Sequence, residues 1–175
     1  MKMRKKLLLA AVLILWTVSA LSGCTKQRNM DISEFCKRVN TEQGTQVLAP
    51  ENFFRERADT VREYNCHMPI TQNCTALLSL TADSTDTVTA LQLTCIPDAA
   101  PYTSEDFAAL YQAYITLCAV LTVQEPDDAE AAVRMAGILP ESLEFSEYGF
   151  VGEAEKHRYS VFSGEQYISL FCERI

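Results

Sequence analysis

The strongest constraint on the fold is the periodicity of the apolar residues, which changes twice along the chain. Residues 60–97 are typical of β-strands: "TVREYNCHM" and "TVTALQLTCIP" alternate with period two, and "TALLSLTAD" is apolar on both faces. Residues 104–122 then repeat every three or four positions and predict a long amphipathic helix. Alternation returns in "LEFSEYGF", "HRYSVF" and "EQYISLFCERI". Strands are therefore expected on both sides of a helical segment.

Two shorter helices complete the expected order of elements. Asp31 and Glu34 form a D-x-x-E helix start, and Gly44 ends the apolar pattern that follows. A third helix is expected to begin near Asp127, after Pro126, and to stop at Gly137. Residues 45–60 are ambiguous, and "NFFRER" after Pro50 is compatible with a turn of helix. The order α-β-β-β-α-α-β-β-β predicts an α+β fold, with one antiparallel sheet of about five to six strands and helices packed on one face.

The N-terminus has the plan of a secretory signal peptide. Lys2, Arg4, Lys5 and Lys6 precede an apolar run over residues 7–16, and small and hydroxyl residues follow. A transmembrane helix is the alternative interpretation, but a membrane span needs about 20 mostly apolar residues. The apolar run is shorter than that, so cleavage is the better prediction.

The leader ends in Leu21, Ser22, Gly23 and Cys24, which resembles the lipobox of bacterial lipoproteins. The resemblance covers residues 1–24 and implies that a signal peptidase recognises Leu21, Ser22 and Gly23. It also implies that the Cys24 sulfur receives a diacylglyceryl group and that Cys24 becomes the new N-terminus. A simple exposed cysteine would explain neither the basic head nor the small residues. The resemblance thus implies a lipid-anchored protein on the extracytoplasmic face of a bacterial cell membrane.

Three regions follow from this interpretation. Residues 1–23 are the signal peptide, residues 24–30 are the lipidated N-terminus with a short tether, and residues 31–175 form a single α+β domain. The six residues 25–30 reach about 20 Å when extended. We therefore expect the domain to lie close to the lipid head groups, with Lys26 and Arg28 facing them.

Charge argues against nucleic acid as a partner. Four of the 15 basic residues lie in the leader and none of the 23 acidic residues do, so the mature chain has a formal charge of −12. Such a surface repels phosphates. The expected partners are the membrane, through Cys24, and a protein of the cell envelope.

Six cysteines remain after Cys24, and an even number in an exported domain suggests disulfides. Four of them share apolar stripes or strand faces, where cysteine serves as a small buried apolar residue: Cys36, Cys95, Cys118 and Cys172. The other two, Cys66 and Cys74, flank a seven-residue link between two predicted strands. A Cys66–Cys74 disulfide is the bridge that the sequence predicts.

Metal and cofactor sites are not expected. Cys66, His67 and Cys74 offer three ligands, but structural zinc takes four, usually with C-x₂₋₄-C spacing. The sequence contains neither CxxC nor HExxH. His157 lies between Lys156 and Arg158 on a predicted strand, which favours a position facing water.

No catalytic residue is predicted either. The chain has no G-x-S-x-G motif, no glycine-rich phosphate loop and no D-x-D-x-D-G loop. Cys66 and His67 are adjacent on a strand and should point to opposite faces. The sequence therefore favours a non-catalytic binding or accessory module of the cell envelope. The alternative is a small surface hydrolase or ligand-binding enzyme whose site is assembled from scattered acids and serines.

A set of aromatic residues in the C-terminal strands could form a binding patch: Phe145, Tyr148, Phe150, Tyr159, Tyr167 and Phe171. Tyr167 and Phe171 fall on the strand face opposite Ile168, Leu170 and Cys172. If the latter three are core residues, Tyr167 and Phe171 are exposed and available to a partner. The alternative is that helices or residues 45–60 cover them.

Overall fold

The computed structural model describes residues 30–57, 62–95, 102–144, 147–164 and 167–175. It confirms the α+β class, with helices packed on a single antiparallel sheet. The described helices are α1 (Ile32–Gln43), α2 (Ser104–Thr122) and α3 (Pro126–Met135), with 3₁₀ turns at Pro50–Asn52 and Pro140–Leu143. The strands are β1 (Phe54–Arg57), β2 (Arg62–Pro69), β3 (Thr75–Ala82), β4 (Val88–Cys95), β5 (Tyr148–Ala154), β6 (His157–Gly164) and β7 (Tyr167–Arg174).

The sheet joins two meanders edge to edge. Its strand order is β1-β2-β3-β4-β7-β6-β5, so β4 from the first meander pairs with β7 from the second. Leu93 lies opposite Leu170 at this junction. The described sheet has seven strands rather than five to six, because residues 54–57, which the sequence left unassigned, pair with β2 as an edge strand.

The helix ends follow local chemistry. The Asp31 carboxylate accepts a hydrogen bond from the Glu34 backbone N–H at 2.9 Å, and Gly44 ends α1 with a positive φ of 65°. At the start of α2, the Thr103 side chain and the Asp106 carboxylate cap each other's backbone N–H groups. These caps confirm the expected starts of α1 and α2.

The core lies between the helices and one face of the sheet. A hydrogen bond helps to hold the longest helix against β7, since the Tyr114 hydroxyl donates to the Phe171 carbonyl at 2.7 Å. The side chains that fill this layer are almost fully enclosed: Leu78, Leu80, Leu91, Leu93, Leu170, Tyr114, Leu117 and Leu121. The other face of the sheet does not line this core.

Candidate binding face

The second face of the sheet carries no helix among the described residues, and we call it the open face. At its centre, the Gln92 amide donates to the Ser169 hydroxyl at 2.9 Å, and the Thr94 and Ser169 hydroxyls lie 3.2 Å apart. Gln92 is exposed and Thr94 is partly buried. Short polar side chains on a strand face are compatible with water and do not require a cover.

Apolar side chains interrupt this polar surface over β5, β6 and β7. Four residues form what we call the open-face patch: Val151, Phe162, Tyr167 and Phe171. Phe162 is opposite Ser169 on β7 and opposite Gly149 on β5, so the other three patch residues are its diagonal neighbours. Diagonal positions are about 7–8 Å apart, which aromatic side chains can span. The patch is therefore continuous across three strands.

The rings of the patch lie over glycines. A Cβ on Gly149 would be 3.3 Å from Phe162 Cδ1, and a Cβ on Gly164 would be 3.4 Å from Tyr167 Cε1. Even with this support, 45% of Phe162 and 47% of Tyr167 are exposed. Large apolar rings are thus presented to the surroundings on a rigid sheet.

An ion-pair cluster borders the patch. Arg158 on β6 donates to Glu173 on β7 at 2.8 Å and to Glu153 on β5 at 3.1 Å. Their carboxylates hold the pKa of the Arg158 guanidinium above its usual value, with Glu153 the stronger contributor. An apolar centre with a charged and polar rim is the usual composition of a protein-binding surface.

The aromatic residues predicted from the sequence are divided between the two faces. Tyr167 is exposed and Phe171 is partly buried on the open face, whereas Tyr159 is completely buried against the helices. Tyr148 and Phe150 share the face of Tyr159, and Phe145 lies outside the described residues. Sequence reasoning missed Phe162. The available signal was alternation, because Phe162 shares a strand face with Arg158 and Ser160, which is the polar face.

The structure does not bring Cys66 and Cys74 together. Cys66 is opposite Leu78 in the β2–β3 ladder, whereas the Ile70 N–H donates to the Cys74 carbonyl. Cys74 and Leu78, the partner of Cys66, are four residues apart, which is about 13 Å along a strand. A disulfide needs Cα atoms within about 7 Å. Both thiols are buried, and Cys66 and His67 point to opposite faces as expected.

His157 differs from the sequence-based expectation, because it is buried on the helix side of β6 with only 7% of its surface exposed. Its Nδ1 lies 2.9 Å from the Glu155 carbonyl, and its Nε2 has no hydrogen-bond partner in the described part of the chain. Burial lowers the pKa of the ring, and the charge of Arg174 acts in the same direction. Burial therefore favours the neutral form of the ring.

We expect the free energy of unfolding to fall as the pH is lowered from about 7.5 to about 5.5. An unfolded histidine takes up a proton near pH 6.5, whereas the lowered pKa of native His157 delays protonation, so acid favours the unfolded chain. The variant His157→Gln should show a smaller fall in urea titrations at the two pH values. An unchanged fall in the variant would assign the pH dependence to other groups.

Other surfaces of the described residues offer less chemistry. A groove of about 490 Å³ between α1 and the α2–α3 junction is lined by Lys37, Arg38, Glu42, Val120 and Asp128, among others, but by no described histidine, cysteine or serine. Nowhere in the described ranges do three His, Cys, Asp or Glu side chains gather closely enough to hold a metal ion.

No single helix within the described ranges has the length and hydropathy of a membrane span. The helices α2 and α3 have the length and hydropathy of a membrane span only when they are taken together, and a 103° bend separates them. The predicted signal peptide and the lipobox-like residues Leu21, Ser22, Gly23 and Cys24 lie outside the described residues.

No protein-family model, no curated protein and no solved structure matches this chain. The interpretation of the open face therefore depends on its own geometry and chemistry.

Proposed function

We propose that this chain is a lipid-anchored, non-catalytic binding module of the bacterial cell envelope, and that it docks a protein partner on its open face. The observation that carries the proposal is the open-face patch. Phe162 and Tyr167 remain about half exposed on the face of the sheet that no described helix covers. Large exposed apolar patches on folded domains are typical of interaction sites.

The composition of the face favours a protein as the partner. Aromatic residues are enriched at the centres of protein interfaces, and arginine is enriched alongside them. Here the rings of the patch are bordered by Arg158 with its two carboxylates and by the hydroxyls of Thr94 and Ser169. The formal charge of −12 on the mature chain opposes binding to anionic lipid heads or nucleic acid.

The point at which the chain enters the domain supports access to the patch. The Val88 N–H at the start of β4 donates to the Met30 carbonyl at 2.8 Å, so the chain enters the domain at this end of the sheet. Cys95, at the other end of β4, pairs with Ile168, beside Tyr167. Seven residues of β4 separate the two ends, which is about 23 Å. A lipid on Cys24 would thus hold the domain by the end remote from Tyr167.

The test is truncation of one ring of the patch. Complexes are extracted from the native membrane in mild detergent and separated by size, for the parent chain and for Tyr167→Ala. Truncation of an aromatic hot-spot residue weakens an interface by about 2 kcal/mol or more, so the variant should leave the complex if Tyr167 is such a residue. Met135→Ala is the control, because Met135 is 76% exposed at the end of α3 on the helix side.

The control should keep the complex. Equal retention of the parent, Tyr167→Ala and Met135→Ala chains in one complex would contradict binding through the open-face patch. Thermal unfolding of each variant checks that the fold is intact.

A further inference from the structure

Two buried cysteines at one end of the sheet bring their sulfurs into direct contact. The Cys74 and Cys95 sulfurs are 3.4 Å apart, and only 2% of Cys74 and 0% of Cys95 is exposed. A cysteine that only fills space in a core does not need a second cysteine beside it. The contact between the two sulfurs therefore calls for an explanation beyond apolar packing.

The backbone holds both cysteines on the helix side of the sheet. Cys95 is the last residue of β4 and lies opposite Ala76, two residues after Cys74. Cys74 directly precedes β3, and its carbonyl accepts hydrogen bonds from the backbone N–H groups of Ile70 and Thr71, at 2.9 and 3.1 Å. Both cysteine side chains belong to the core between the helices and the sheet. Cys74 is thus held by a tight turn before it and by the β3–β4 ladder after it.

Only a small movement separates this contact from a covalent bond. A disulfide bond is about 2.05 Å long, so the two sulfurs need to approach by about 1.4 Å. Rotation about the Cα–Cβ bonds of the two residues can supply this approach. By contrast, the Cys66–Cys74 bridge that the sequence predicts would have to cross about 13 Å. The structure therefore favours Cys95 over Cys66 as the partner of Cys74.

We propose that the exported chain carries a Cys74–Cys95 disulfide in place of the pairing predicted from the sequence. The S–S bond forms when the two S–H bonds break and the thiols lose two protons and two electrons. The protons and electrons pass to the disulfide of a thiol-disulfide oxidoreductase of the envelope, which becomes a dithiol. The bridge rests on the proposed extracytoplasmic location, because disulfides persist in oxidising compartments.

The bridge closes one end of the domain. It joins the β2–β3 connection to the end of β4. The Thr71 hydroxyl in this connection also donates a hydrogen bond to the Asp106 carboxylate of α2, at 2.6 Å. Cys95 lies opposite Ile168 in the β4–β7 ladder, next to Tyr167. The disulfide thus stiffens the end of the sheet that presents Tyr167 on the open face.

The surroundings of the pair indicate when the bond forms. The thiolate is the reactive species in disulfide exchange. The hydrogen bond with Cys74 raises the pKa of the Cys95 thiol above its usual range, and burial acts in the same direction. Thiols enclosed in the finished core therefore react slowly. The bridge forms while the chain folds, before the helices cover the sheet.

The test uses the full chain, taken from its native envelope into denaturant that contains N-ethylmaleimide and no reductant. The expected result is that neither Cys74 nor Cys95 is alkylated. Digestion without reductant should release their two peptides as one linked pair, lighter by two hydrogens than the separate peptides together. The variant Cys95→Ala should leave Cys74 alkylated. Cys66→Ala is the matched control and should keep the linked pair.

The lipidation state of the same sample separates the bridge from the proposed location. A lipidated chain in which both thiols are alkylated, or in which Cys74 is linked to another cysteine, would overturn the bridge and leave the location standing. Refolding of the reduced chain with oxidised and reduced glutathione supplies the second arm. The linked pair after refolding, combined with an unlipidated and reduced chain in cells, would support the bridge and count against the location. Alkylation of both thiols after refolding would overturn the bridge for any location.

Discussion

Gly152→Ala is expected to reduce the free energy of unfolding by about 3 kcal/mol, at the upper end of the usual cost of overpacking. Gly152 lies on the helix side of β5, opposite Tyr159. A Cβ there would overlap the Ala136 carbonyl group at the end of α3, with the carbonyl carbon only 2.8 Å away. Because the obstacle is backbone, no side-chain rotation relieves it, and α3 must move away from the sheet.

Urea unfolding measures this loss, and Gly149→Ala is the matched control. Gly149 lies on the same strand but on the open face, where an added Cβ would meet only the exposed Phe162 ring at 3.3 Å. That ring can turn aside, so the control should change the free energy of unfolding by less than about 1 kcal/mol. Equal losses of the free energy of unfolding in the two variants would contradict a close contact between α3 and β5.

Cys24→Ala is expected to abolish lipidation completely and to leave the precursor with its signal peptide. Alanine has no sulfur to accept a diacylglyceryl group, and the resemblance to the lipobox implies that cleavage follows acylation. In the proposed lipoprotein, stable attachment to the membrane requires two or more acyl chains. Without them, the apolar leader alone remains to associate with the membrane.

Incorporation of labelled fatty acid, together with the intact mass, measures this effect better than fractionation, because an uncut leader also sediments with membranes. Cys36→Ala is the control, since Cys36 is buried in α1 and should not affect labelling. Normal cleavage and labelling of the Cys24→Ala chain would remove the lipoprotein interpretation.

The long helix and the central strands could be predicted because each has a strong local signal. Thr103 and Asp106 form a capping box, and the apolar period persists to Thr122, where the helix ends. Alternation in β3 and β4 determines which side chains face the helices. These features depend on residues close in sequence.

Elements that depend on distant residues were not predicted. The edge strand β1 has an exposed Phe54, and it is ordered by pairing with β2 rather than by its own pattern. His157 has charged neighbours in sequence, yet it alternates with Tyr159 and Val161 and is buried with them.

The open-face patch was predicted in part for the same reason. Tyr167 and Phe171 could be assigned to the face opposite Ile168 and Leu170 from alternation alone. Phe162 joins them only because β6 pairs with β7 in the register that places it opposite Ser169. The patch is therefore a property of the assembled sheet, and its role in binding stays a prediction.

Photo-crosslinking in the native membrane tests that role most directly. A photoreactive phenylalanine analogue at Phe162 samples the centre of the patch, and the same analogue at Met135 samples the helix side. We predict one dominant crosslinked protein from position 162, absent from position 135 and lost when Tyr167→Ala is added. No crosslink at position 162, or the same products from both positions, would contradict a binding module that uses its open face.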